Sequence, residues 1–259
     1  MTPYLRQVAM VAYDLEPAMA QLDAMFGTPV CFRDDGVAKF GLGNALAAIG
    51  TQLIEIVAPT QDGTTAGRYL DRRHGDGGYM VILQCPDRAT QDGCQERAAD
   101  LDVRVAWERP HEDGQGRIMQ LHPGDTGGTF LEIDHVHPFE PEGLWPPAGD
   151  DWQQFINVEQ ATAILAAEIQ SGDPQALATR WAKIIGTDIE ETVAGLILPL
   201  ANGCLRFVKD TDGRGEGLAG MDIRVHSKPK VVFAARDCGL QATDDQIMWC
   251  GMRLNLIDA

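Results

Sequence analysis

Gly63 to Cys85 reads GTTAGRYLDRRHGDGGYMVILQC. A loop at Gly63-Thr64-Thr65 runs into a short helical piece, Arg68 to Arg73. The chain then crosses a glycine hinge at Gly75-Asp76-Gly77-Gly78 and enters a strand, Tyr79 to Cys85. The glycines allow an abrupt change of backbone direction that other residues resist. The segment before the hinge reads as a strand, a helix and three strands, and the segment after it repeats that order. The stretch is therefore the joint between two copies of one module, with a cleft expected where they meet.

Upstream of the joint, Leu5 to Ala12 alternates as a strand, with Gln7, Ala9 and Val11 on one face. Pro17 opens a helix whose Met19, Leu22 and Phe26 fall at helical spacing, and Gly27 suits its cap. Strands are expected near Val30 to Arg33, Ala38 to Leu42 and Leu53 to Val57. Downstream, a helix from Pro86-Asp87 to Leu101 leads to strands near Val103 to Trp107, Arg117 to His122 and Thr129 to Asp134. Prolines 138, 141, 146 and 147 then mark a linker. Beyond it the order returns twice in weaker form. One copy has a strand at Ile164 to Ile169, a helix with Leu177, Trp181 and Ile184 on one stripe, and strands to Val208. The other runs from Met221 to Ile257. Tandem repetition at this period governs the fold expected: α+β, four tandem β-α-β-β-β modules. The boundaries are 1–137 for a first domain, 138–152 for the linker and 153–259 for a second domain.

With 259 residues the chain is ample for two cores. A net charge of −17 argues against nucleic acid, whose phosphates need basic clusters. Arg68, Arg72 and Arg73 form the densest basic run, enough for one carboxylate or phosphate. No apolar run reaches membrane-spanning length and the N-terminus carries no signal-peptide pattern, so no membrane partner is expected. The six cysteines, with no CxxC among them, read as reduced residues of a cytoplasmic protein.

Leu5-Arg6-Gln7-Val8-Ala9, Leu53-Ile54-Glu55-Ile56-Val57, Leu121-His122-Pro123 and Leu131-Glu132-Ile133 together resemble the vicinal oxygen chelate superfamily. That group includes glyoxalase I, methylmalonyl-CoA epimerase and extradiol dioxygenases. The GTTAGR and GDGGYM segments are similar to a group of bacterial glyoxalase-like proteins. The resemblance covers Leu5 to Asp134 well and Trp152 to Asp258 only as a pattern. It implies two paired-module cups, each able to hold a divalent metal on inward side chains from the first and last strands of its modules. Carried over by position, those are Gln7, Glu55, Met80 and Glu132. Met80 departs from the family pattern, because a thioether is a poor ligand for hard or borderline cations. The cofactor is thus left unknown, with a divalent ion such as Zn, Ni or Fe held weakly by Gln7, Glu55 and Glu132.

Two inward carboxylates need solvent, a partner or a metal. A metal would polarise a carbonyl while a carboxylate moves a proton beside it. Without metal, Glu55 and Glu132 would repel, one would stay protonated, and the cup would hold an acid and a base. In the third reading both are rim residues bonded to backbone or arginine. The resemblance favours a functional site, and Met80 favours the metal-free form. The function expected is a cytoplasmic glyoxalase-like enzyme doing lyase, isomerase or epimerase chemistry next to a carbonyl of a small oxygenated molecule. The alternative is a non-catalytic small-molecule binding or sequestering protein of the bleomycin-resistance type. Glu55, Glu132 and His122 are the catalytic candidates; Gln7, Arg68 and Met80 are the substrate-binding candidates. His135 and His137 lie outside the family's positions and read as structural. The second half has no such constellation, with Arg206 where Glu55 would stand. It is read as structural, as a dimer surface or as a pocket wall, so a homodimer joins the small-molecule ligand among the partners considered.

Overall fold

A computed structural model describes residues 2–110 and 116–259. His111, a loop residue of little weight in the sequence, lies outside them. The first module comprises β1 (Tyr4–Val11), α1 (Leu15–Phe26), β2 (Val30–Phe32), β3 (Leu42–Ile49) and β4 (Gln52–Pro59). The connector α2 (Thr65–Arg73) leads to the second: β5 (Gly77–Cys85), α3 (Arg88–Asp100), β6 (Val105–Pro110), β7 (Gly116–Leu121) and β8 (Phe130–Val136). The third contains β9 (Ala161–Ser171), α4 (Pro174–Ile185), β10 (Glu190–Thr192), β11 (Gly195–Pro199) and β12 (Cys204–Lys209). The last contains β13 (Gly217–Val225), α5 (Lys228–Asp237), β14 (Gln246–Trp249) and β15 (Met252–Asp258).

The strands form two mixed sheets, ordered β2-β3-β4-β1-β5-β8-β7-β6 and β10-β11-β12-β9-β13-β15-β14. This is the arrangement two paired-module cups require, and the chain is α+β. Within modules the first strand lies parallel to the last, with Ala9 opposite Glu55 and Ile82 opposite Glu132. Because the modules are fused in tandem, one sheet takes the strands before the linker and the other those after it.

Local chemistry explains the element ends. Thr64 caps α2, its hydroxyl accepting from Gly67 N–H at 2.9 Å. Asp173 caps α4 in the same way through Ala176 N–H at 3.0 Å, with Pro174 in the first turn. Gly27 and Gly186 close α1 and α4 in the left-handed conformation, at φ 67° and 79°. The buried stripe of α1 contains Met19, Leu22 and Phe26 and that of α4 contains Leu177, Trp181 and Ile184, as their spacing predicts.

Two elements differ from the sequence reading. Ala38 to Leu42 is not a strand, because Asp35–Phe40 forms a 3-10 helix. The Asp34 carboxylate accepts from Gly36 N–H at 2.7 Å, and such a local bond favours a turn over a ladder. The strand follows at Leu42–Ile49, where alanine-rich NALAAI has little β propensity and is held by burial. In the last module β14 was not expected. The strand missing there is reduced to a bridge between Ala242 and Ile247.

Packing groups the chain into two compact units. One contains Met1–Arg6, Tyr79–Leu144 and Ala166–Leu218; the other contains Gln7–Gly78, Trp145–Leu165 and Ala219–Ala259. In the first, α3 packs on α4. The Trp181 indole donates to the Thr126 carbonyl at 3.2 Å and meets the Phe207 ring edge-on at 5.6 Å. In the second, α1 packs on α5. Gln52 there pairs with both backbone groups of Ile164, at 2.6 and 2.7 Å. The last part of the linker, from Trp145, belongs to this unit, and its Trp145 and Trp152 are fully buried. Each such indole contributes on the order of a few kcal/mol of burial.

Candidate active site

Gln7 and Glu55 meet in the unit that contains the first module. Gln7 Nε2 donates to Glu55 Oε2 at 2.8 Å, and Asn44 Nδ2 of β3 donates to Glu55 Oε1 at 2.6 Å. Both amides are themselves oriented. The indole N–H of Trp145 donates to Gln7 Oε1 at 3.0 Å, and the Asp34 backbone N–H donates to Asn44 Oδ1 at 2.8 Å. Turning either amide over would set donor against donor and oxygen against oxygen, so this network fixes both assignments. Burial raises the Glu55 carboxyl above its ordinary range. The Asn44 and Gln7 donors pull it back, and the Asp34 charge adds to the rise.

The second module builds its own polar group. The Cys94 thiol of α3 lies beside that of Cys85, and Gln91 of α3 donates to the Ile133 carbonyl at 2.8 Å. The Cys85 face of β5 is therefore the one turned to the helix. By alternation Met80, Ile82 and Gln84 look the other way, with their register partners Phe130, Glu132 and Asp134. On that face Gln120 Nε2 of β7 donates to Glu132 Oε2 at 2.5 Å. Asp134 Oδ1 accepts from the Met119 N–H at 3.3 Å. Burial, and then the Glu132 charge alongside, push the Asp134 carboxyl well above its ordinary range. Trp107, opposite Gln120, carries the Arg109 guanidinium 5.1 Å above its ring.

Of the sequence candidates, Gln7 and Glu55 lie in one unit and Met80 and Glu132 in the other. His122 and Arg68 do not join these groups through any hydrogen bond among the described residues. His122 follows the end of β7. Its Nδ1 accepts from Gly124 N–H at 3.1 Å and lies 3.2 Å from Arg104, which is paired with Asp125. β7 ends at Leu121, so His122 lies at the start of the turn that follows it. Arg68 is exposed and braces its own loop, donating to the Gly63 carbonyl at 2.7 Å and Thr65 Oγ1 at 3.0 Å. His135 falls opposite Cys85, on the helix-facing side of the sheet.

Sequence reasoning missed Asn44, Gln120, Asp134 and Trp145. Asp134 and Gln120 were findable by alternation from Glu132 and Ile118. Asn44 was hidden by the misplaced third strand, and Trp145 sat in a stretch that read as a spacer.

The metal that the family resemblance implies does not fit these donors. Gln7 would have to coordinate through Oε1, which already accepts from Trp145. Both Glu55 oxygens accept from amides, and Glu132 Oε2 accepts from Gln120. A carboxylate surrounded by N–H donors is arranged for negative charge or a proton, and Met80 adds only a thioether.

No family model and no curated protein matches the chain. Among solved structures, a variant of 4-hydroxymandelate synthase from Streptomyces coelicolor is 15% identical. The match covers 100% of this chain and 93% of that one, at a TM-score of 0.71. A hypothetical protein from Staphylococcus aureus is 14% identical, over 98% of this chain and 99% of that one, at a TM-score of 0.64. Methylmalonyl-CoA epimerase from Mycobacterium tuberculosis is 24% identical, over 52% of this chain and 88% of that one, at a TM-score of 0.44. At these identities the likeness that spans both chains is one of architecture, and the architecture this chain has is the vicinal oxygen chelate fold.

Proposed function

We propose that the protein is an enzyme of the vicinal oxygen chelate type that moves a proton at the carbon next to a carbonyl of a small oxygenated molecule, without a metal. The products would be those of a lyase, isomerase or epimerase. The observation that carries this reading is Glu132, a carboxylate only 4% exposed, positioned by a neutral amide donor beside a second buried carboxyl. A carboxylate held in place in this way is a candidate base for a weakly acidic C–H. Glu132 takes the proton and the C–H electron pair moves into the enolate. The Arg109 guanidinium supplies positive charge to offset the enolate oxygen. Return of the proton or a solvent deuteron by Glu132 to the same carbon completes the exchange, and return to the next carbon gives isomerisation. Glu55, held by Gln7 and Asn44, is assigned the wall of the site in its own unit. His122 and Arg68 are left outside the reacting set because local bonds occupy them. Six free cysteines favour a reducing compartment such as the cytoplasm. No helix among the described residues is long and apolar enough to cross a membrane.

The test is isotope wash-in. The protein is incubated in D2O with a panel of hydroxyketones, 2-oxo acids and 2-methyl-3-oxo thioesters, and loss of the α-proton is followed by NMR. Exchange above the buffer rate for one class supports the reading. Saturable binding with no exchange would favour the sequestering alternative.

A further inference from the structure

Gln7, Asn44 and Glu55 share one face of the first module with Ala9, Leu46 and Phe32, as the register of β1 to β4 requires. Gln7 turns its Nε2 to Glu55, so its Oε1 is an acceptor set among apolar neighbours. What meets that acceptor comes from the linker. Trp145 is fully buried, with its indole N–H on Gln7 Oε1 at 3.0 Å. Four residues on, Gly149 passes against Phe32, where a Cβ would lie 2.5 Å from the ring. Both contacts lay residues 145–149 as a strap across the same face.

The strap closes on itself. Pro146–Ala148 is a single 3-10 turn, in which the Ala148 N–H donates to the Trp145 carbonyl at 2.8 Å and the Gly149 N–H to the Pro146 carbonyl at 3.2 Å. From Pro141 to Asp151 only Trp145 and Ala148 are buried, and Pro141, Glu142, Asp150 and Asp151 are exposed. One large side chain thus seats a short, self-bonded segment between exposed flanks. Segments of that kind open locally at lower cost than the sheet beneath them. The seated group also has a definite chemistry: a flat apolar ring with one donor, and the donor meets the one amide oxygen on the face that Glu55 has already oriented. A buried amide oxygen without such a donor is costly to leave, so whatever displaces the indole must bring its own.

We propose that this face of the first module is a ligand subsite in which Trp145 stands in for the ligand, and that the subsite takes a flat, mainly apolar ring that places one N–H or O–H donor on Gln7 Oε1. Ligand and strap exclude each other. The strap must leave before the ring enters, and the apparent affinity of the intact chain is reduced by the fraction of molecules in which it is open. Gly149 sets how closely the strap seats, because at φ 76° and against Phe32 it has no room for a side chain. The subsite stands apart from the reaction proposed above, since Glu132 takes no part in it.

Two measurements on the full chain test it. The first follows exchange of the Trp145 Nε1–H by NMR beside the backbone amides of β1 and β4. Local opening is expected, with the indole protected at least about 100-fold less than those amides. Gly149→Ala should lower its protection by a further factor of about 10. An indole that exchanges only when the β1 and β4 amides do, or one as well protected in Gly149→Ala as in wild type, would make Trp145 an ordinary core residue and overturn the strap. The second titrates Trp145→Ala with indole and with benzothiophene, which has the same shape and no N–H. Saturable binding of indole is expected, about 10-fold tighter than that of benzothiophene. A folded variant that binds neither ring, or both equally, would overturn a subsite that reads a donor. Should Trp145→Ala fail to fold, the same pair is titrated into Gly149→Ala, with the same outcomes deciding.

Discussion

Glu132→Gln is expected to slow α-proton exchange by about 10²- to 10⁴-fold while leaving the thermal midpoint unchanged or raised. The two effects part company for a physical reason. Glutamine keeps the shape of glutamate, and its oxygen can still accept from Gln120, which now reaches Glu132 at 2.5 Å. Its amide N–H can also donate to Asp134. The fold therefore loses no packing and is relieved of a buried charge. Catalysis loses its base outright, because an amide cannot take a proton at neutral pH. The check is the NMR exchange rate beside a calorimetric melt of the same sample. A variant that exchanges at the wild-type rate would remove Glu132 from the reaction. One that melts far lower would show that the charge is structural.

The largest effect on stability is expected at Gly50, in the turn between β3 and β4. Its φ is +58°, and a Cβ there would lie 2.2 Å from the Thr162 carbonyl oxygen and 3.2 Å from its carbon. The obstacle is backbone, which cannot rotate aside. Gly50→Ala combines the left-handed penalty with the need to push β9 away from the turn, at the place where Gln52 pairs with Ile164. A loss of more than about 3 kcal/mol is expected in denaturant titration, or failure to accumulate folded protein. A variant within about 1 kcal/mol of wild type would mean that the turn and β9 are not held as described.

The repeat was legible because its signals are local and redundant. Gly27 and Gly186 end helices where left-handed caps are needed, Thr64 and Asp173 begin them, and the apolar stripes of α1 and α4 fall at the helical period. What failed lacked such signals. Asn44–Ile49 is a strand by burial on both faces, which alanines do not announce. The place of Trp145 in the core depends on a contact with Gln7 across 138 residues that no local pattern encodes. Of the candidate site, the positions of Gln7, Glu55 and Glu132 were readable from strand alternation and the family pattern. Their bonding was not. Asn44 and Trp145 decide that Glu55 and Gln7 are saturated with amide and indole partners, and Asp134 decides that Glu132 has a carboxyl neighbour other than Glu55.

A metal-free carboxylate base is the central claim, and α-proton exchange before and after chelation tests it most directly. Protein dialysed exhaustively against a chelator, with its metal content measured per chain, is placed in D2O with whichever carbonyl compound exchanges in the panel. Exchange at the undialysed rate with far less than one ion per chain is expected, because Gln7 and Glu55 already spend their oxygens on Trp145, Asn44 and each other, and Glu132 Oε2 is taken by Gln120. Exchange that disappears on chelation and returns with one equivalent of a divalent ion would contradict it.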